Sequence, residues 1–165
     1  MSDPIFERTS VRQYLDKPVE GEKIERLLRA GMQAPSAMNQ KPWEFYVVTN
    51  KEIKAKLGHV TPFARPCLNA PLVIVPMMKT KVHLSMFRIE DISASVENIL
   101  LEATELGLGA VWMGVAPLKE RMKMIEDILG NPEGLEAFCL VAIGYPSSEH
   151  EQVSRFDETR VHYLK

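Results

Sequence analysis

Glu90-Asp91-Ile92-Ser93-Ala94-Ser95-Val96-Glu97-Asn98-Ile99-Leu100-Leu101-Glu102-Ala103-Thr104-Glu105-Leu106, followed at once by Gly107-Leu108-Gly109-Ala110-Val111-Trp112-Met113-Gly114, is the stretch on which the fold turns. Ile92, Val96, Ile99, Leu100, Ala103 and Leu106 recur at helical spacing, so residues 90–106 read as the longest helix. At ~1.5 Å per residue it spans on the order of 25 Å, enough to run through a core. Its apolar face is wide, which predicts extensive burial, with a subunit interface as one place to achieve it. Gly107 is a natural helix stop. Gly107-Leu108-Gly109 lacks a third glycine and does not follow a strand, so it is a poor dinucleotide fingerprint.

Reading outward toward the N-terminus, the apolar run Leu72 to Met77 predicts a buried strand. Lys51 to about Gly58 predicts a short helix capped by Asn50, and Trp43 to Thr49 a strand rich in aromatic and β-branched residues. Glu20 to Met32 sets Ile24, Leu27, Leu28 and Met32 against Glu22, Lys23, Glu25 and Arg26, an amphipathic helix bounded by Pro18 and Pro35. Toward the C-terminus, Leu118 to Leu129 predicts a helix with Met122, Ile125, Ile128 and Leu129 inward. Phe138 to Ile143 predicts a buried strand closed by Gly144-Tyr145-Pro146. The final Arg160-Val161-His162-Tyr163-Leu164 alternates like a strand with little core of its own to join, so pairing with another subunit is expected.

Helices interleaved with three or four strands predict an α+β three-layer sandwich, a small mixed sheet flanked by helices. A doubly wound parallel sheet would open on a strand, a glycine loop and a helix, whereas this chain opens with helix-like sequence. Neither repeats nor linkers interrupt the 165 residues, so one domain over 1–165 is expected.

Composition narrows the function. A net charge of −2 argues against a nucleic-acid partner. The longest apolar run, Ala70 to Met78, is about half of a membrane span and contains Pro71 and Pro76. No basic segment followed by an apolar one opens the chain, so a soluble, cytoplasmic protein is expected. Cys67 and Cys139 have no metal-ligand spacing, and Cys139 reads as a small buried hydrophobe. The four histidines are scattered, which predicts no metal site. No phosphate loop, serine elbow or Cys/His nucleophile pattern occurs. If the chain is an enzyme, these absences point to a cofactor that carries the chemistry itself.

Two constellations remain. Arg8-Thr9-Ser10-Val11-Arg12 gathers two guanidinium groups and two hydroxyls, which suits phosphate oxygens. The plain alternative is a solvated basic turn with a hydroxyl cap. Ala34-Pro35-Ser36-Ala37-Met38-Asn39-Gln40-Lys41-Pro42-Trp43 is stiffened by two prolines, and its small residues would let a flat ligand approach the backbone. The alternative is a simple helix-to-strand connection.

These two segments together resemble the opening of the FMN-dependent nitroreductase family. Asp91 to Ala103, Gly107 to Gly114, Ile143-Gly144-Tyr145-Pro146, Arg155-Phe156 and Arg160-Val161-His162-Tyr163 continue the resemblance in order along nearly the whole chain. It implies an intertwined homodimer whose C-terminal tail wraps the partner, with FMN between the subunits. Carried over by position, Arg8, Thr9 and Ser10 would hold the FMN phosphate and ribityl chain, with Arg155 reaching the same phosphate from the tail. Arg12 would approach the pyrimidine side of the ring. Pro35, Ser36, Ala37 and Asn39 would border the ring from the other subunit. Trp112, Met113 and Gly114 would lie along it, with a backbone N–H near the hydride-accepting nitrogen.

The resemblance further implies ping-pong transfer of a hydride from NAD(P)H through the flavin to a nitroaromatic, quinone or similar acceptor, with no catalytic side chain. An FMN-binding module with little turnover, a carrier or sensor, is the alternative, and an interaction domain without cofactor a second. Arg160 reads as a surface partner of Asp157 or Glu158, and Glu102 and Glu105 as solvent or interface charges. The short region from Lys79 to Glu90 leaves little room for a substrate lid, which implies an open site.

Overall fold

The structure, a computed structural model, describes residues 3–150 and 153–164. The chain enters on a short helix, α1 (Pro4–Glu7), with a proline where a helix has no use for the N–H. It continues through α2 (Gly21–Met32), β1 (Trp43–Val48), α3 (Lys51–Leu57), α4 (Pro66–Asn69) and β2 (Leu72–Lys79). Then follow α5 (Arg88–Glu105), β3 (Gly109–Gly114), α6 (Lys119–Ile128), β4 (Leu135–Ala137) and β5 (Cys139–Gly144).

The five-stranded sheet has the order β1-β2-β5-β3, with β4 beside β2, and each ladder is antiparallel. Its parallel element is a single bridge from Ser10 to Ala110. Residues 72–75 of β2 and all of β5 are buried, the continuous apolar runs expected of strands covered on both faces. α5 supplies Ile92, Val96, Ile99 and Ala103 to this core. α2 packs on α5, where Asn98 Nδ2 donates to Ala30 O at 3.0 Å and Arg26 pairs with Glu102 at 2.6 Å.

Pro76 sits inside a central strand, where a proline cannot donate to the ladder. The sheet accommodates it with one extra residue opposite. Ile74 faces Val141 while Met77 faces Ala137, so the partner strand bulges at Phe138, whose N–H donates to Pro76 O at 3.1 Å. This bulge separates β4 from β5, so the strand expected over Phe138 to Ile143 is observed as β5, starting one residue later at Cys139.

The α+β sandwich expected from the sequence is the observed architecture. Residues 160–164 form no strand in this chain: Glu158–Arg160 is a single 3-10 turn capped by Asp157, and the residues after it are exposed and irregular. An alternating pattern without a neighbouring edge has no ladder to join.

Candidate functional site

β3 is an edge strand, and the chain after α1 lies along its free side. Val11 N–H donates to Ala110 O at 3.0 Å, so Ala110 presents its backbone outward. In an antiparallel ladder orientation alternates, so Trp112 and Gly114 share that outward direction and offer N–H and C=O groups beyond the strand edge. A β-carbon built on Gly114 meets nothing within 4 Å, which leaves its backbone open to close approach. The Trp112 ring points the other way, packed edge-on against Phe138 with centroids 5.6 Å apart. Trp112 therefore serves the core with its side chain and the surface with its backbone.

Tyr14 ties this arrangement to the sheet. Its hydroxyl lies 2.6 Å from Val11 O and 3.0 Å from Ala142 O. Burial pushes the phenol well above its ordinary range, so it remains a neutral donor.

A cleft of about 570 Å³ opens here, with Arg12 and Trp112 to Gly114 on one side and Phe63, Arg65 and Asn69 on the other. The second wall is locally rigid. Thr61 Oγ1 accepts the Phe63 N–H at 3.0 Å, Pro62 starts a 3-10 turn over Pro62–Ala64, and Pro66 starts α4. Phe63 is left 73% exposed. Lys54 of α3 is buried and donates to Ala70 O at 2.6 Å and Pro71 O at 3.2 Å. Burial, then the charge of Lys51, lowers its pKa. Burial also pushes the Cys67 thiol up to about 12, and the Cys139 thiol upward as well, so both are inert thiols at neutral pH.

The sequence-derived site residues fall into three places. Arg12, Trp112, Met113 and Gly114 meet in the cleft, with Ser10 bridged to Ala110 beside it. Arg12 Nη1 donates to Ser10 O at 3.1 Å, and among the described residues neither Arg12 nor Arg65 takes part in an ion pair. Arg8 and the half-buried Thr9 continue from Ser10, and Arg8 Nε lies 3.8 Å from Glu97 Oε1. Arg155 is exposed and lines a separate groove of about 580 Å³ with Ile5 and Phe6 of α1.

Pro35, Ser36, Ala37 and Asn39 lie elsewhere. Their loop leads into β1, at the opposite edge of the sheet from β3. Trp112 faces Val141, which faces Ile74, which faces Val47. Three strand spacings across and four residues along put Trp43 on the order of 20 Å from Trp112.

The loop is firmly held. Buried Asp91 accepts from Ala37 N–H and from Gln40 Nε2, each at 2.7 Å. Gln40 also bonds Leu84 in both directions, and Ser36 Oγ accepts the Lys41 N–H at 3.0 Å. These bonds fix Met38, Asn39 and Lys41 at φ of 48°, 56° and 47°, a region that L-residues enter at a cost.

Sequence reasoning missed the wall from Thr61 to Asn69 and the role of Asp91 and Gln40 in setting the loop. The first had a signal in Thr61-Pro62, a cap residue followed by a proline suited to a first helical position. Arg160 pairs with Asp157 at 2.9 Å, as the sequence suggested. Among the described residues no helix is long and apolar enough to cross a membrane, and no cluster of three metal-ligating side chains occurs.

Fold and cleft together define an α+β sandwich protein with a cleft along its edge strand β3. The chain belongs to the Nitroreductase family, whose profile matches residues 5–61 and 64–145. It is 40% identical, over 98% of its length and 95% of the relative's, to an Archaeoglobus fulgidus protein provisionally named an NADH dehydrogenase/NAD(P)H nitroreductase. Among solved structures it is similar to a Clostridium acetobutylicum protein provisionally called an NADH oxidase, with 45% identity, 99% of each chain covered and a TM-score of 0.95. An FMN-dependent nitroreductase from Clostridium difficile R20291 superposes with a TM-score of 0.88 at 31% identity, with 98% of each chain covered.

Proposed function

We propose that this chain is an FMN-dependent oxidoreductase that carries a hydride from NAD(P)H to a nitroaromatic, quinone or similar acceptor, as a homodimer and by a ping-pong mechanism. The observation that carries the reading is the cleft itself: outward backbone at Trp112 and Gly114 shares it with Arg12, whose guanidinium is in no ion pair among the described residues. A planar ring with an anionic reduced form fits that donor set. When bound, FMN supplies the hydride-carrying chemistry.

The chain's own residues do the rest. Arg12 would approach the pyrimidine side of the ring, where a cation stabilises negative charge. The backbone N–H of Gly114 or Trp112 holds the hydride-accepting nitrogen without adding a titrating group. Arg8, Thr9 and Ser10 take the phosphate and ribityl chain, with Arg155 closing over the phosphate. Pro35, Ser36, Ala37 and Asn39 border the ring of the partner's site. Their loop runs into Trp43, which strand spacing puts on the order of 20 Å from Trp112 within one chain, more than one flavin ring bridges. The exposed C-terminal tail is assigned to the partner's surface.

The test is the visible spectrum of the purified protein, before and after NADH or NADPH is added without oxygen. Flavin bands that bleach are expected. Bands that persist would favour a flavin-binding module without turnover. A chain that takes up no FMN on incubation would overturn the reading.

A further inference from the structure

We infer that Arg65 anchors the phosphates of the nicotinamide donor, in a groove that leaves the cleft toward His59. This rests on the flavin reading of the cleft and adds where the donor's charged half lies.

A groove of about 630 Å³ adjoins the cleft and shares Pro62, Arg65 and Asn69 with it. Arg65 thus stands on the ridge between the two spaces. Its position is set from both sides, because Ala64 N–H donates to Thr61 O at 3.1 Å and Leu68 N–H donates to Arg65 O at 3.0 Å. Among the described residues its guanidinium is in no ion pair, so its donors are available to a ligand.

The surroundings are positive in a chain that is negative overall. Residues 51–69 hold Lys51, Lys54, Lys56 and Arg65 against Glu52 alone, whereas the net charge of the whole is −2. Such a local field draws anions toward the groove. His59 lines the same groove, its ring held by an Nδ1 contact of 2.6 Å to Ala55 O. A donor with its nicotinamide against Trp112 to Gly114 must lead its pyrophosphate out of the cleft, and Arg65 offers the planar fork that phosphate oxygens accept. An acidic acceptor would present the same chemistry to Arg65, and the experiment separates the two.

Arg65→Ala and Arg65→Lys are compared with the wild type by thermal melting, FMN content, calorimetric titration with ADP-ribose, and steady-state kinetics. Donors are NAD(P)H and a benzyl dihydronicotinamide that lacks phosphates. Acceptors are a neutral quinone and a nitrobenzoate. For Arg65→Ala we expect KM for NAD(P)H to rise about tenfold, the scale of a lost charge-assisted contact, with a much smaller change in kcat. ADP-ribose should weaken by a similar factor, Arg65→Lys should recover part of both, and the phosphate-free donor should be affected several-fold less.

Wild-type values for ADP-ribose and NAD(P)H in Arg65→Ala would overturn the inference. So would a loss confined to the nitrobenzoate, which would assign Arg65 to the acceptor. A wild type that retains no FMN would defeat the proposed function, while the ADP-ribose titration would still decide the groove.

Discussion

Val11 fills the space that a side chain on Gly109 would need: a β-carbon built there would lie 2.6 Å from Val11 Cβ. The glycine lets the segment carrying Arg8, Ser10 and Arg12 lie directly on the sheet edge. Val11 itself is buried, so it cannot simply swing away. Gly109→Ala should therefore push the arginine segment off β3 and destabilise the fold by about 1–3 kcal/mol, the usual cost of overpacking. Urea denaturation and retained flavin are the measurements. A variant that keeps both would show that the close approach is dispensable.

Arg8 faces a competitor for its proposed ligand. Its contact with Glu97 is long at 3.8 Å and partly solvated, so it is a weak pair and readily exchanged for phosphate. Arg8→Ala and Arg155→Ala should each weaken FMN binding by about 1.5–3 kcal/mol. Glu97→Gln should leave binding unchanged or tighten it. Fluorescence titration of the apoprotein with FMN checks all three, and unchanged retention in both arginine variants would sink the phosphate assignment.

Asp91 organises the Ser36–Lys41 turn through two hydrogen bonds to a buried carboxylate. In Asp91→Asn one of the two oxygens becomes an NH2 group facing a donor. The loss should be about 1–3 kcal/mol in global stability, with the three positive-φ residues relaxing. Denaturation and hydrogen exchange at Ala37 and Lys41 would register it. Unaltered protection at Ala37 would contradict the argument.

Tyr145 and Glu20 give a pH-dependent tie between α2 and the turn after β5. The Tyr145 hydroxyl lies 2.6 and 2.9 Å from the two Glu20 oxygens, and this hydrogen bond, helped by Lys17 and Lys23, lowers the Glu20 pKa below its ordinary 4.5. A carboxylate depressed on folding adds stability above its unfolded pKa and loses it as pH falls through the folded value. Tyr145→Phe should thus lower the melting temperature near neutrality, and the two curves should converge in acid. Parallel curves down to about pH 3 would show that the carboxylate is not responsible.

Long periodic elements were legible in the sequence. α2, α5 and α6 declare themselves through apolar faces, and their ends differ from expectation by one or two residues. β1, β2 and β5 follow from dense apolar or β-branched runs. The glycines at 107, 109 and 114 disguised β3, because glycine is read as a stop although Gly109 serves contact with Val11. β4 was hidden because its three residues include Glu136, which pairs with Arg88 and Lys119 across the surface. Through the family resemblance, Arg12 and Trp112 to Gly114 could be gathered into one cleft. Phe63 and Arg65 could not, since their wall is built from short proline-started turns that have no period to detect.

The Ser36–Lys41 turn and the β3 cleft occupy opposite edges of one sheet. On the pairing proposed above, a hybrid of an Arg12→Ala chain with an Asn39→Ala chain would place both lesions in one site and neither in the other. Two alleles, each impaired alone, would then complement each other inside one cell. Lesions in Arg12 and Gly114, which share a wall, would not.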